Sequence, residues 1–166
     1  MSTYDWSTFT RKININAPVS AIYDAWTVPE LMERWFLREA HFFREKSRFA
    51  DKNMHIRKGD HYEWYWHGFS NEIVEKGEVL MANETDKLQF SFTGGGIVTV
   101  DIGHAMDETI VMLTQDKIPT DDKGRTQFHL GCLTGWTFYL ANLKSVIEGG
   151  IDLRNKNIAL TNMVNS

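Results

Sequence analysis

The chain has a single cysteine, Cys132, so no intrachain disulfide can form and the fold must stand on burial alone. Cys132 follows Leu130-Gly131 in an apolar stretch with no flanking cation, which reads as a small buried hydrophobe rather than a nucleophile. Proline is scarce, 3 residues in all, and no linker, repeat or low-complexity segment divides the chain. No run approaches about 18 uninterrupted apolar residues, so no membrane span is expected. The start, Met1 to Trp6, lacks the basic region and apolar run of a signal peptide, and the cytoplasm is the expected compartment. A basic surplus is also missing. The formal net charge is −4, and the one cation-rich stretch, Arg44 to Lys58, is broken by Glu45 and Asp51. It reads as a solvated loop, and nucleic acid is not an expected partner.

What the chain does have is aromatic residues. They make up 13% of it, with 6 Trp and 10 Phe, which calls for a thick core or the wall of a pocket. At 166 residues the chain is expected to be one domain, residues 1–166, since domains commonly run to about 100–200 residues. A chain of this size buries roughly 68–70% of its unfolded surface, enough for a core without staples.

Phe9 to Asn16 is the first expected strand, with Ile13 and Ile15 alternating with polar neighbours. Pro18 stands where a helix begins. Val19, Ile22, Tyr23 and Trp26 follow at helical spacing, and Pro29 opens a second short helix in which Leu31 and Trp35 share a face. Strand texture starts at Glu39. Ala40 to Arg44 is one strand, and Asp60 to His67 is another, placing Tyr62, Trp64 and Trp66 on one face. Glu72 to Ala82 follows, with Gly77 as an expected bulge or bend. Lys87 to Thr93 puts Phe90 and Phe92 on one face. Gly94-Gly95-Gly96 reads as a hairpin turn into Ile97 to His104, and Thr109 to Asp116 completes an antiparallel meander.

Beyond Pro119 the period changes. Phe128, Cys132, Trp136, Leu140, Leu143 and Ile147 recur at three- and four-residue spacing, predicting one helix from Gly124 to Glu148, stopped by Gly149-Gly150. Grouped strands with segregated helices give an α+β class.

Chemical motifs are few. The six histidines (His41, His55, His61, His67, His104 and His129) show no metal-ligand spacing, and no cysteine pair supplements them. His67, at the end of the aromatic strand, is the one considered for a pocket role. Glu72 and Glu78 share a strand face that Glu75 opposes, so these carboxylates do not converge as an acid/base pair. The triple glycine is followed by a strand rather than a helix, which excludes a phosphate loop, and no Gly-x-Ser-x-Gly elbow is present. No cofactor is expected and no catalytic residue is assigned.

The order of elements, together with particular residues, resembles the activator of heat-shock-protein-90 ATPase homologue family of the START-like (helix-grip) superfamily, which includes pollen allergens, polyketide cyclases and lipid-transfer domains. The residues that carry it are Ile15-Asn16-Ala17-Pro18, Asp24-Ala25-Trp26-Thr27 followed by Pro29-Glu30, and Trp35. Gly59 with Tyr62 and Trp64, Gly77-Glu78-Val79, Gly135-Trp136 with Leu140 and Leu143, and Glu148-Gly149-Gly150 continue it. The resemblance runs from Phe9 to Ile151. One departure is Val28, where the family usually has Asp or Asn; the second helix therefore loses an N-cap worth about 1 kcal/mol.

The resemblance implies a curved antiparallel sheet wrapped around the C-terminal helix, with a cavity between them. Tyr62, Trp64, Trp66, Phe90 and Phe92 from the sheet and Phe128, Trp136 and Tyr139 from the helix are the expected ligand-binding residues. The expected partner is a hydrophobic small molecule or lipid. The alternatives are a cyclase- or hydrolase-type enzyme using the same cavity, and a chaperone-interaction module as the family name suggests. The tail from Ile151 to Ser166 is expected to be dispensable for folding. Its sparse apolar residues could cover an edge or join two copies as a homodimer.

Overall fold

Among the described residues, the alternation in the strand segments is realised in one antiparallel sheet of eight strands in the order β1-β8-β7-β6-β5-β4-β2-β3. A computed structural model describes residues 3–45 and 48–164. Its strands are β1 (Phe9–Ile15), β2 (Glu39–Arg44), β3 (Arg48–Phe49), β4 (His61–Tyr65), β5 (Val74–Ala82), β6 (Lys87–Phe92), β7 (Gly96–Ala105) and β8 (Glu108–Asp116). Strands β4 to β8 form the expected meander, and β1 returns to pair with β8 along its whole length. Period-2 burial fixes the register, since a one-residue slip would send each buried face to solvent. On β4 Tyr62 and Trp64 face inward; on β7 and β8 the inward residues are Val98, Val100 and Ile102, and Val111, Leu113 and Gln115.

The inner face closes on three helices: α1 (Val19–Thr27), α2 (Pro29–Met32) and α3 (Cys132–Ile147). Val28 precedes α2 without a side-chain cap, and Pro29 opens that helix, a position where its missing N–H costs nothing. Trp26, Trp35 and Phe36 from the α1–α2 region are buried. The Trp35 indole donates to Ala25 O at 2.9 Å, and its ring meets Trp26 edge-on at 4.7 Å. From α3, Trp136, Leu140 and Leu143 are buried against this cluster. Each such side chain, fully buried, contributes about 1.5–3 kcal/mol. This is the α+β helix-grip fold: a curved antiparallel sheet around a long C-terminal helix.

Three expectations need correction. The bulge in β5 lies between Val79 and Met81, not at Gly77. Gly77 is glycine for space: a Cβ there would sit 2.5 Å from the Tyr62 ring. The C-terminal helix is not uniform either, because Gly124–Gly131 is wound as a π-helix ahead of α3. Bonding to the fifth rather than the fourth residue back rotates the apolar stripe, so Phe128 leaves the line of Trp136 and Leu140. The winding begins at Gly124, where a Cβ would lie 1.8 Å from Pro119 O; no side chain fits there.

The third correction concerns the tail, whose first residues belong to the fold. Arg154 is buried and donates to Leu37 O at 2.9 Å and Glu33 O at 3.0 Å, satisfying the C-cap carbonyl of α2 and one in the turn that leads to β2. Asp152 pairs with it at 2.7 Å. Burial opposes ionisation of Asp152, but the hydrogen bonds from Arg154 and Lys156 prevail and hold its carboxyl well below the usual range. Asn142, buried on α3, donates to Trp35 O at 2.6 Å and accepts from the Leu153 amide at 2.8 Å. Beyond Arg154 the tail exposes Ile158, Leu160 and Val164.

Candidate ligand-binding cavity

Where the π-helix meets α3, the helix stands off the β4–β6 side of the sheet and leaves a cavity of about 260 Å³. Phe36 and Trp66 form one wall, Phe92 and Thr93 at the end of β6 a second, and Gln127, Cys132, Gly135, Trp136 and Tyr139 the helical side. The aromatic members hold one another: Phe36 lies 5.1 Å from Trp66, 5.2 Å from Trp136 and 5.0 Å from Tyr139, and Phe92 lies 5.3 Å from Trp136. Edge-on and tilted contacts at these spacings are favourable ring geometries. Phe69 and Ile73, 39% and 51% exposed, complete the lining and so mark its mouth.

Of the eight residues expected to bind a ligand, the structure brings Trp66, Phe92, Trp136 and Tyr139 together on this wall. Tyr62, Trp64 and Phe90 lie behind it in the core, with Tyr62 and Trp64 stacked at 3.8 Å. The Tyr62 hydroxyl is committed to Ser91 O at 2.6 Å. Phe128, turned away by the π winding, packs over Gly94 at the β6–β7 turn, where a Cβ would come within 2.4 Å of its ring. Gly94 has φ +70°, a left-handed conformation that also favours glycine. His67 is half-buried and off the wall; burial first, and then the positive charge of Arg154, lower its pKa.

The lining carries no charged residue. Burial pushes the Cys132 thiol up to about 11 and the Tyr139 phenol up to about 12, so both stay protonated at neutral pH. Trp136 Nε1 donates to Gln115 Oε1 at 3.0 Å, which fixes the orientation of that buried amide. Gln115 Nε2 and Trp64 Nε1, in the core behind the wall, find no acceptor among the described residues.

Reading the sequence for converging carboxylates passed over Glu75. Its cross-strand partner is Trp64, and paired residues of an antiparallel ladder point to the same side. Glu75 therefore faces inward, while Glu78, paired with exposed His61, faces out. Glu75 is half-buried and accepts no hydrogen bond or ion pair among the described residues. Burial alone pushes its carboxyl up to about 7. It stands two residues beyond Ile73 and close enough to Cys132 to help raise that thiol's pKa. The signal was present in the alternation, but a search for acid pairs discards a lone inward acid. Among the described residues no group of His, Cys, Asp and Glu could hold a metal ion, and no helix is long and apolar enough to cross a membrane.

A curved antiparallel sheet around a long C-terminal helix is the helix-grip fold of the START-like class. Within that class the chain belongs to the activator of Hsp90 ATPase homolog 1-like family, whose model matches residues 16–148. Solved structures agree on the fold. The Staphylococcus saprophyticus protein SSP2350 is similar at 17% identity and TM-score 0.66, covering 89% of this chain and 96% of that one. CalU16 from Micromonospora echinospora is similar at 19% and 0.64, covering 88% and 77%. The Aha1 dimer from Colwellia psychrerythraea is similar at 17% and 0.64, covering 86% and 97%. No curated protein matches the chain.

Proposed function

We propose that this chain is a binding module that holds a hydrophobic small molecule or lipid segment between its sheet and its C-terminal helix. The supporting observation is the uncharged, aromatic cavity reached past exposed Phe69 and Ile73. Ligand sites are concave and mostly apolar, at about 300–1,000 Å³; at about 260 Å³ this one suits a body of one or two rings or a short chain segment. Two of its proton-bearing groups, Cys132 and Tyr139, stay neutral at physiological pH, so Glu75 lacks a titrating partner among them, which weights the reading toward binding over acid/base catalysis. Titration with an apolar fluorescent probe should give saturable, competable binding. Linear, unsaturable signals across aromatic probes and long-chain lipids would refute it. A homodimer through the tail beyond Arg154, which exposes Ile158, Leu160 and Val164, belongs to the same proposal. Light scattering on the chain shortened after Arg154 should then register a monomer, and an unchanged mass would exclude the tail as the interface.

A further inference from the structure

The inward carboxyl of Glu75 has no structural task. Packing does not need it, because its strand neighbours Val79 and Gly77 serve the core with apolar atoms or none. No described donor satisfies it, and burying an unpaired carboxylate is costly. Glu75 is not itself on the cavity lining; it stands on the inward strand face opposite Trp64, two residues beyond Ile73 at the mouth, and the lining holds no Lys, Arg or His to oppose it. What the lining does offer is ring faces, from Phe36, Trp66, Phe92, Trp136 and Tyr139. A cation set against such faces is attracted to them, more strongly when water is excluded. An unpaired acid next to an aromatic box is therefore a site for an organic cation, and it repels fatty-acid-like anions.

We propose that the site selects a hydrophobic compound bearing a protonated amine, with Glu75 as its counter-ion and specificity-determining residue. The inference rests on the binding reading above and adds the headgroup to it. Electrostatics run in the same direction from each side of Glu75. From β4 the titratable neighbour is Tyr62, held neutral because burial pushes its phenol far up. From α3 it is Cys132, also neutral. Phe92 and Thr93, at the end of β6, do not titrate. Among the described groups that face it, the carboxyl is thus the one whose charge changes near neutrality, and a bound ammonium would draw its proton off.

The test compares three naphthalene compounds of one shape, naphthylmethylamine, naphthylmethanol and naphthoate, by calorimetry on wild type and Glu75→Gln. The amine should bind wild type roughly ten- to a hundredfold more tightly than the alcohol, the range for a charge-assisted hydrogen bond. Glu75→Gln should erase that preference and strengthen naphthoate. In wild type the amine's affinity should rise about tenfold between roughly pH 6 and pH 8 as Glu75 ionises, while the alcohol's stays flat. The pH series needs no variant and stands even if Glu75→Gln does not fold. Equal binding of amine and alcohol, flat with pH, would overturn the counter-ion and leave the binding reading intact. Binding of none of the three would overturn both.

Discussion

Replacing Gly77 by alanine should destabilise this protein, although alanine is normally the better residue in a strand. Gly77 lies opposite Tyr62 in the β4–β5 ladder. Its φ is not in the left-handed range, so conformation does not demand glycine. Space does: an added Cβ would fall 2.5 Å from both Cζ and Oη of Tyr62. The ring cannot yield easily. It is stacked on Trp64 at 3.8 Å, and its hydroxyl is tied to Ser91 O at 2.6 Å. Overpacking costs about 1–3 kcal/mol and a lost hydrogen bond about 0.5–1.5, against about 0.5–1 gained by reducing unfolded-chain freedom. The expected net loss is about 2 kcal/mol. Urea denaturation at unchanged m would measure it. The control is a double-mutant cycle: in a Tyr62→Leu background the same Gly77→Ala change should be neutral or stabilising. A loss below about 0.5 kcal/mol in wild type, or no coupling in the cycle, would refute the steric reasoning.

Further outcomes follow from the same contacts. Glu75, raised from 4.5 to about 7 by burial, gives stability that is full below its unfolded value and lost as pH rises through the folded one. The shift corresponds to about 3 kcal/mol, or nearer 2 once its partial exposure is discounted. Glu75→Gln should therefore match wild type near about pH 4 and exceed it by about 2 kcal/mol above about pH 8; equal stability throughout would place the carboxyl in solvent. Trp136→Ala should cost about 3–5 kcal/mol by denaturation, since it removes a buried indole and leaves Gln115 Oε1 without its donor. A chain ending at Arg154 should melt within a few degrees of wild type, a difference under about 1 kcal/mol. Arg154→Ala in the full chain should instead cost about 3 kcal/mol, because Asp152 loses its buried partner. The reverse order of these two effects would mean that the distal tail, not Arg154, secures the fold.

The fold was legible because its signals are local. Period-2 alternation in Asp60 to His67 and Ile97 to His104 and the helical spacing after Pro119 each name an element, and their order names the class. The π winding was not legible. The spacing of Phe128, Cys132 and Trp136 suits an unbroken α-helix, and the close approach of Gly124 to Pro119 O at the start of the winding leaves no mark on that spacing. The cavity was half legible. Alternation puts Tyr62, Trp64 and Trp66 on one face, but only the third lies on the cavity wall, past the end of β4. Distance from the helix along the strand decides wall or core, and a sequence carries no such coordinate. Glu75 was within reach of the same alternation argument, since a carboxylate at an inward position is anomalous wherever no partner covers it.

The claim that the cavity is the binding site is tested most directly by filling it. Gly135 lies on α3 at the cavity wall, and a Cβ there would meet nothing within 4 Å. Gly135→Phe therefore starts its side chain toward the open space without a clash at Cβ. Wild type and Gly135→Phe should be titrated in parallel with the same apolar probe, with thermal melting as the check on folding. The account predicts a folded variant, at least as stable as wild type because glycine inside a helix costs about 1 kcal/mol, whose saturable probe binding is gone. A folded Gly135→Phe protein that binds the probe with wild-type affinity would contradict it.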